Sequence, residues 1–382
     1  MRLGDSQDEG EFRAQLRDWL SGQIPAGVPQ VWDSERLRSW SKSLYQAGYA
    51  GLSWPVEHGG RGLPAAYQAI YAEESARAGA PDHVNVIGLN MVGPTIIRYG
   101  TQAQQAEFLP RILSGEMIFC QGFSEPDAGS DLAAVRTRAR AHPAGYQVDG
   151  EKVWSSYAHL ADYCLLLVRT DPEAVKHRGL TCLLMDMRAP GVQVRPLREL
   201  SGDTDFNQVI LTDVVVGADS VLGPVGEGWR VAMTTLAHER GTFGITLTSR
   251  LSAELDRLVR TVLTLGADSD PVVRREIAEL HVQLQGLRFT GYRALAELQR
   301  TGEPGAESSI LKLGWSMANQ RLTALALRVL GPDAAFEGPQ AFWSGYWQQQ
   351  HLRSRTNSIE GGTSEILRGI VAERVLGLPR SR

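Results

Sequence analysis

The sequence predicts an α+β chain in three parts: a helical N-terminal domain, a central antiparallel β-barrel or sandwich, and a C-terminal helical bundle. Three observations carry this. Apolar residues recur at helical spacing from about residue 8 to 115. They switch after about residue 117 to alternation and short apolar runs, and they return to helical spacing from Gly228 onward. The corresponding domain boundaries are 1–117, 118–225 and 226–382. At roughly 100–200 residues per domain, a chain of 382 residues holds two or three.

In the first part, Phe12, Leu16, Trp19 and Leu20 mark one helix, and Leu37, Trp40, Leu44 and Tyr45 another. Gly51-Leu52-Ser53-Trp54-Pro55 and Gly59-Gly60-Arg61-Gly62 punctuate them where turns are needed. The central strands are Tyr146-Gln147-Val148, Tyr163 to Val168, Leu180 to Met185, Val192-Gln193-Val194 and Val209 to Val216. Turn dipeptides such as Asp149-Gly150 and Pro190-Gly191 divide them at spacings that suit antiparallel pairing. Breaks near 266–271, 302–305, 331–332 and 361–362 cut the last part into about four long helices plus a terminal one. Short joints of that kind connect antiparallel neighbours in a bundle.

Composition excludes several classes. With 43% hydrophobic and 21% charged residues the chain is an ordinary globular one. A formal net charge of −4 without a basic run argues against nucleic acid and anionic membranes and for a small-molecule ligand. Cys120, Cys164 and Cys182 lack metal or redox spacing and read as buried apolar residues in a reducing compartment. The acidic start MRLGDSQDEGEF is unlike a secretory signal, and no run of 18 apolar residues occurs, so a cytoplasmic location is expected.

The segment Phe123-Ser124-Glu125-Pro126-Asp127-Ala128-Gly129-Ser130-Asp131 combines hydroxyls with sharp turn formers at the helix-to-strand switch. Such a loop is either a plain surface turn or a cradle that aims N–H groups and a hydroxyl at one ligand edge. It resembles the flavin loop of the acyl-CoA dehydrogenase family. Three further stretches resemble family motifs in the same order: Glu151-Lys152-Val153-Trp154-Ser155-Ser156, Gly226-Glu227-Gly228-Trp229 and Gly361-Gly362-Thr363-Ser364-Glu365-Ile366. The likeness spans nearly the whole chain.

The resemblance implies FAD held between barrel and bundle. Phe123, Ser124, Gly129 and Ser130 would meet its isoalloxazine and pyrophosphate, and Trp154 and Ser156 would line the other side. An indole wall shields a reactive ring from water and a serine donates without bulk. Thr363, at a helix start, and Glu365 become candidates to touch the dinucleotide. The family's Arg-x-x-Phe-Gly stretch, through which a neighbouring subunit holds the pyrophosphate, reads Val262-Leu263-Thr264-Leu265-Gly266 here. Its Gln-Gly-Gly reads Arg328-Val329-Leu330-Gly331-Pro332, with Arg328 as the candidate substitute.

Many members carry the proton-abstracting Glu before Gly-Thr in the C-terminal motif. Gly361 stands there in this chain, with Glu360 one place off. Other members place the base on a bundle helix before an Arg, which is Glu239-Arg240 here. On a helix, Glu239 shares its face with Thr235, Leu236, Thr242 and Phe243, none of them charged, while Arg240 points about 100° away. Desolvation raises the pKa of such a carboxylate, toward roughly 6–7 in tuned bases. Two look-alikes fall away. Thr242 occupies the second His position of a zinc motif begun by His238-Glu239, and the glycines of Gly223 to Gly228 are misordered for a dinucleotide fingerprint. No metal is expected.

The expected activity is α,β-dehydrogenation of an acyl-CoA or acyl-carrier thioester. Glu239 takes the α-proton, a hydride passes to flavin N5, the Gly361 N–H steadies the enolate oxygen and Arg240 shapes the site. The resemblance further implies an electron-transfer flavoprotein as acceptor and a homo-oligomer, dimer or tetramer, with a mixed oligomer as a variant. Two alternatives stay open: a flavin monooxygenase or N-oxidase on the same fold, and a non-catalytic subunit of a mixed dehydrogenase oligomer.

Overall fold

The computed structural model describes residues 4–24, 32–301, 305 and 307–379, and their side chains apart from those of 239–243, 298 and 299. Five helices come first: α1 (Gln7–Gln23), α2 (Ser34–Gln46), α3 (Ala65–Ala78), α4 (Gly93–Tyr99) and α5 (Gln102–Ser114). Eight strands follow: β1 (Phe119–Gly122), β2 (Arg138–His142), β3 (Gly145–Ser156), β4 (Tyr163–Arg169), β5 (Leu180–Asp186), β6 (Val192–Pro196), β7 (Phe206–Gly217) and β8 (Val221–Leu222). The chain then forms α6 (Gly228–Thr264), α7 (Pro271–Thr301), α8 (Glu307–Leu330), α9 (Tyr346–Ser354) and α10 (Ser364–Ile370). Its backbone divides into two compact units, one of residues 32–63 and 82–239, the other of 1–31, 64–81 and 240–382, so the division falls within α6.

The first of these units holds the sheet, in the order β6-β7-β3-β2-β4-β5-β8 with β1 added on β4. Most pairs are antiparallel, as the turn dipeptides predict, but β1 runs parallel to β4 and β2 meets β4 in a single parallel pair. The chain leaves β1 through a long loop and the β2–β3 hairpin, and so re-enters beside β1 in the same direction. Strands β1, β2 and β8 are absent from the sequence-based set. β1 and β8 are only four and two residues long, and in β2 buried Ala139 stands between exposed arginines. Two cores flank the sheet. Leu166, Val168, Leu183, Met185 and Val214 fill one with Cys120 and Cys164, and Leu165, Leu167, Leu184 and Cys182 join helical residues such as Ile96, Leu109 and Val231 in the other. All three cysteines are free and buried.

Tight glycines hold Trp54 in that second core. A Cβ on Gly93 would come 2.2 Å from its ring, and one on Gly60 would come 2.2 Å from its carbonyl oxygen. The indole N–H donates to the Leu89 carbonyl at 3.2 Å. That carbonyl lies in a π-turn, Gly88–Val92, whose irregular ladder frees backbone groups. Nearby, His83 Nε2–H donates to the Leu113 carbonyl at 3.3 Å while Nδ1 accepts from the Asn85 amide at 3.1 Å, which is the pattern of the neutral ring. Burial lowers the His83 pKa from 6.5 to about 4, its backbone hydrogen bonds opposing. The unfolded chain therefore takes up a proton between these two pH values that the folded chain refuses. Stability is full above pH 6.5 and falls as pH drops to about 4, by about 3 kcal/mol. The melting temperature of the protein should decline over that window, and a His83→Gln variant, followed by circular dichroism, should decline less steeply by one proton's worth.

In the other unit α1 keeps Phe12, Leu16 and Leu20 buried, as its spacing predicts, and a Ser6–Glu9 capping box starts it. Arg13 and Arg17 both reach the buried Glu74 of α3 at 2.9 Å. Tyr292 of α7 donates to Glu73 at 2.7 Å, so three helices are stitched together. Leu251, Leu258, Leu284, Leu322 and Trp347 form the bundle core. Three long helices build it rather than about four. The fourth segment breaks into short turns because Gly338 and Gly345 (φ +80° and +82°) take left-handed backbone, as do Trp343 and Ser344 (φ 48° and 54°). Among the described residues no helix is long and apolar enough to cross a membrane.

Candidate active site

The loop after β1 is tied directly to β3. The Val153 amide donates to the Ser124 carbonyl at 2.9 Å, which puts the segments 123–131 and 152–156 side by side. Beneath them, the fully buried Lys152 donates to the Phe123 carbonyl at 3.0 Å and to Glu125 at 2.8 Å. The Glu125 carboxylate also accepts from the amides of Arg136 (2.6 Å) and Thr137 (2.9 Å) and from the Thr137 hydroxyl (2.6 Å). Burial pushes the Glu125 carboxyl upward, but the Lys152 charge and these bonds outweigh it and hold the pKa below the usual value. Burial likewise lowers Lys152, against the pull of Glu125.

Above that pair the loop opens outward. Phe123 is buried, Ser124 half-buried, and Gly129 and Ser130 exposed. A Cβ on Gly129 would meet nothing within 4 Å, so protein packing does not require the glycine, and the site leaves room for a ligand there. Trp154 sits at a register irregularity in the β3–β7 ladder, between Lys152 and Ser155, with φ 61°. A bulky residue in that conformation stores about 1–3 kcal/mol, typically at a functional position. The bulge turns the indole out of the sheet: Trp154 is 61% exposed and touches Phe206 edge-on, with centroids 6.0 Å apart. Core packing, the ordinary use of a strand tryptophan, is excluded here. Ser156 is half-buried beside it, and the neighbouring Ser155 hydroxyl is buried without a hydrogen-bond partner among the described residues. An exposed flat wall beside an open glycine loop fits a planar, polar-edged cofactor such as flavin.

The Gly226–Trp229 junction is fixed on β5. The Gly226 amide donates to the Thr181 hydroxyl at 3.0 Å, and a Cβ on Gly228 would come 2.5 Å from the Thr181 backbone, so only glycine lets α6 start there. Thr235 of α6 meets Thr95 of α4 at 3.0 Å. Glu239 and Arg240 belong to α6, but their side chains lie outside the described residues. The preceding His238 is half-buried, and burial together with Arg98 lowers its pKa.

In the other unit Gly361 and Gly362 turn with φ 61° and 98° into α10. Thr363 caps that helix, its hydroxyl accepting from the Ile366 amide at 3.3 Å. Glu365 is exposed, with its carboxyl held below the usual range by backbone and Thr363 hydrogen bonds. Buried Lys312 of α8 donates to the carbonyls of Asn357 (2.6 Å) and Gly362 (2.9 Å). Glu360 accepts from Arg353 at 3.0 Å and from Asn357 at 2.8 Å. The candidate Arg328 is occupied in an ion pair with Glu276 of α7 at 2.6 Å. Sequence reasoning passed over Lys152, Glu125 and Lys312. The first two stand inside the quoted motifs, but their buried charge shows only once the fold brings them together. Among the described residues no cluster of His, Cys, Asp or Glu is arranged to hold a metal ion.

A helical domain, a sheet domain with an outward aromatic wall beside a glycine loop, and a second helical domain are the architecture of the acyl-CoA dehydrogenase fold. Family models for the N-terminal, middle and C-terminal domains of acyl-CoA dehydrogenase match residues 6–116, 120–214 and 226–376. The chain belongs to the acyl-CoA dehydrogenase family, FAD-binding oxidoreductases of lipid metabolism that act on acyl-CoA. It is 40% identical to acyl-CoA dehydrogenase IpdE1 of Mycobacterium tuberculosis, over 98% of this chain and 99% of that protein. The solved structure titled Tcur3481-Tcur3483 steroid ACAD matches with a TM-score of 0.89 and 31% identity over all of both chains. The ChsE4-ChsE5 complex from Mycobacterium tuberculosis matches with a TM-score of 0.86 and 30% identity, again over all of both.

Proposed function

We propose that the protein introduces a double bond between the α and β carbons of an acyl-CoA whose acyl group derives from a steroid. The exposed Trp154 wall beside the loop 123–131 carries the flavin part of this reading. A steroid-named relative, alike over the full length of both chains, supports the substrate class. Bound FAD supplies an acceptor for the hydride that leaves the β-carbon. Glu239 removes the α-proton, a weak acid that a carboxylate alone does not pull off. The Gly361 N–H therefore donates to the thioester oxygen as negative charge grows there, and Arg240 shapes the site around it. Phe123, Ser124, Gly129 and Ser130 bind the cofactor, Trp154 and Ser156 close it from water, and Thr363 and Glu365 reach its dinucleotide end. Arg328 serves that end only by releasing Glu276. An electron-transfer flavoprotein accepts the electrons, in a cytoplasmic setting.

Anaerobic titration of the purified protein with steroid-derived and straight-chain acyl-CoA thioesters tests this. Flavin absorbance should bleach with the steroid-derived thioesters at stoichiometric amounts. No bleaching with any thioester overturns the activity, and bleaching with straight chains alone overturns the substrate class.

Assembly admits two readings, a homo-oligomer or a mixed one. The two-chain names of these two solved relatives, together with Val262-Leu263-Thr264-Leu265-Gly266 standing where the family's Arg-x-x-Phe-Gly would, favour a partner of the same family in the oligomer.

A further inference from the structure

Lys152 is fully buried and its only charged contact among the described residues is Glu125, so a complete ion pair lies inside the sheet unit. Apolar residues of similar volume hold a fold at least as well as such a pair, because both charges lose their water. What the pair adds here is direction. The Lys152 ammonium draws the Phe123 carbonyl inward at 3.0 Å. The peptide plane is rigid and trans, so the Ser124 N–H of the same peptide points the opposite way, out of the interior. Glu125, in turn, is fixed by the amides of Arg136 and Thr137, which keeps the ammonium from following any movement of the loop.

We infer that Lys152, held by Glu125, is a positioning residue that presents the Ser124 N–H as a preformed hydrogen-bond donor to the flavin. This rests on the flavin reading above. The ligand is FAD itself, and Lys152 acts on it only through the Phe123–Ser124 peptide.

The test uses FAD binding rather than turnover. A lone Lys152→Met change leaves Glu125 charged and buried, which threatens folding, so the main variant is the double Lys152→Met, Glu125→Gln, which removes both charges at nearly constant volume. As apoprotein it should melt within about 5 °C of the parent. Its FAD dissociation constant, from quenching of flavin fluorescence, should rise at least about tenfold, the cost of one misdirected hydrogen bond. The visible circular dichroism of the bound flavin should change with it. In the unaltered protein, hydrogen exchange resolved at the Ser124 amide should be fast without FAD and slow about tenfold or more when FAD is added, and this measurement stands even if the double variant does not fold. A double variant that binds FAD within threefold of the parent with the same visible dichroism overturns the positioning role and leaves the flavin reading standing. A Ser124 amide indifferent to FAD does the same. A parent protein that binds no FAD overturns both.

Discussion

Replacing Glu239 by Gln is expected to slow flavin reduction by acyl-CoA about 10²–10⁴-fold, the usual contribution of a positioned base, while the affinities for FAD and thioester stay within a few-fold of the parent. The amide keeps the shape and polarity of the side chain and removes only its ability to accept the proton. The loss should therefore appear in the rate of bleaching and not in the binding isotherm, which stopped-flow absorbance under anaerobic conditions separates. An oxygenase built on the same fold needs no α-proton acceptor and would keep its activity. Glu360 provides the control. It stands one place from the motif position where many relatives carry their base, but its two carboxylate oxygens already accept from Arg353 and Asn357. Glu360→Gln should retain activity within about tenfold, because the residue steadies the turn and takes no proton. If Glu360→Gln abolished bleaching and Glu239→Gln did not, the base would have to be moved to the C-terminal motif.

Much of this architecture was legible because burial writes its period into the chain. The 3.6-residue spacing of Phe12, Leu16 and Leu20 and the apolar run of β4 both belong to elements with one unambiguous environment. The elements that escaped have conflicting or scanty signals. Strand β2 shows alternation, but its outward partners are arginines rather than small polar residues, and β1 is too short for any period. The expected fourth bundle helix fails for a local reason: left-handed backbone at Trp343, Ser344 and Gly345 stops a helix that the apolar pattern alone would continue. The site divides in the same way. The loop 123–131 and the junction glycines were legible only as turn formers, their link to flavin coming from the family resemblance, and the close approach of Gly228 to Thr181 is supplied by the fold. The Lys152–Glu125 pair was not legible, since a charged residue in a strand usually faces water, and only the three-dimensional meeting of β1, β3 and the segment before β2 reveals that these two do not. Arg328 is the opposite case. Its chemistry suits a phosphate, but a neighbouring glutamate one helix away has claimed it.

The largest loss of stability is expected from Trp347→Ala, about 3–5 kcal/mol, read from urea unfolding followed at 222 nm. Trp347 is fully buried at the centre of the bundle core, and Trp343 stacks on it with centroids 6.4 Å apart. Its indole N–H donates to the buried Thr261 hydroxyl of α6 at 3.0 Å. Truncation removes the ring and its contacts, and the surrounding leucines on long helices cannot close the void without bending. Trp347→Phe separates the two contributions. It keeps most of the volume, and the Thr261 hydroxyl still donates to the Arg257 carbonyl at 3.0 Å, so about 1–2 kcal/mol should be lost instead. The consequence reaches the chemistry through α9. That helix, anchored by Trp347, leads into the segment that Lys312 fastens at Asn357 and Gly362. Below its unfolding midpoint the alanine variant should bleach flavin more slowly than the phenylalanine variant at equal FAD occupancy, because a loosened α9 lets the Gly361–Gly362 turn wander from the thioester oxygen to which Gly361 is proposed to donate.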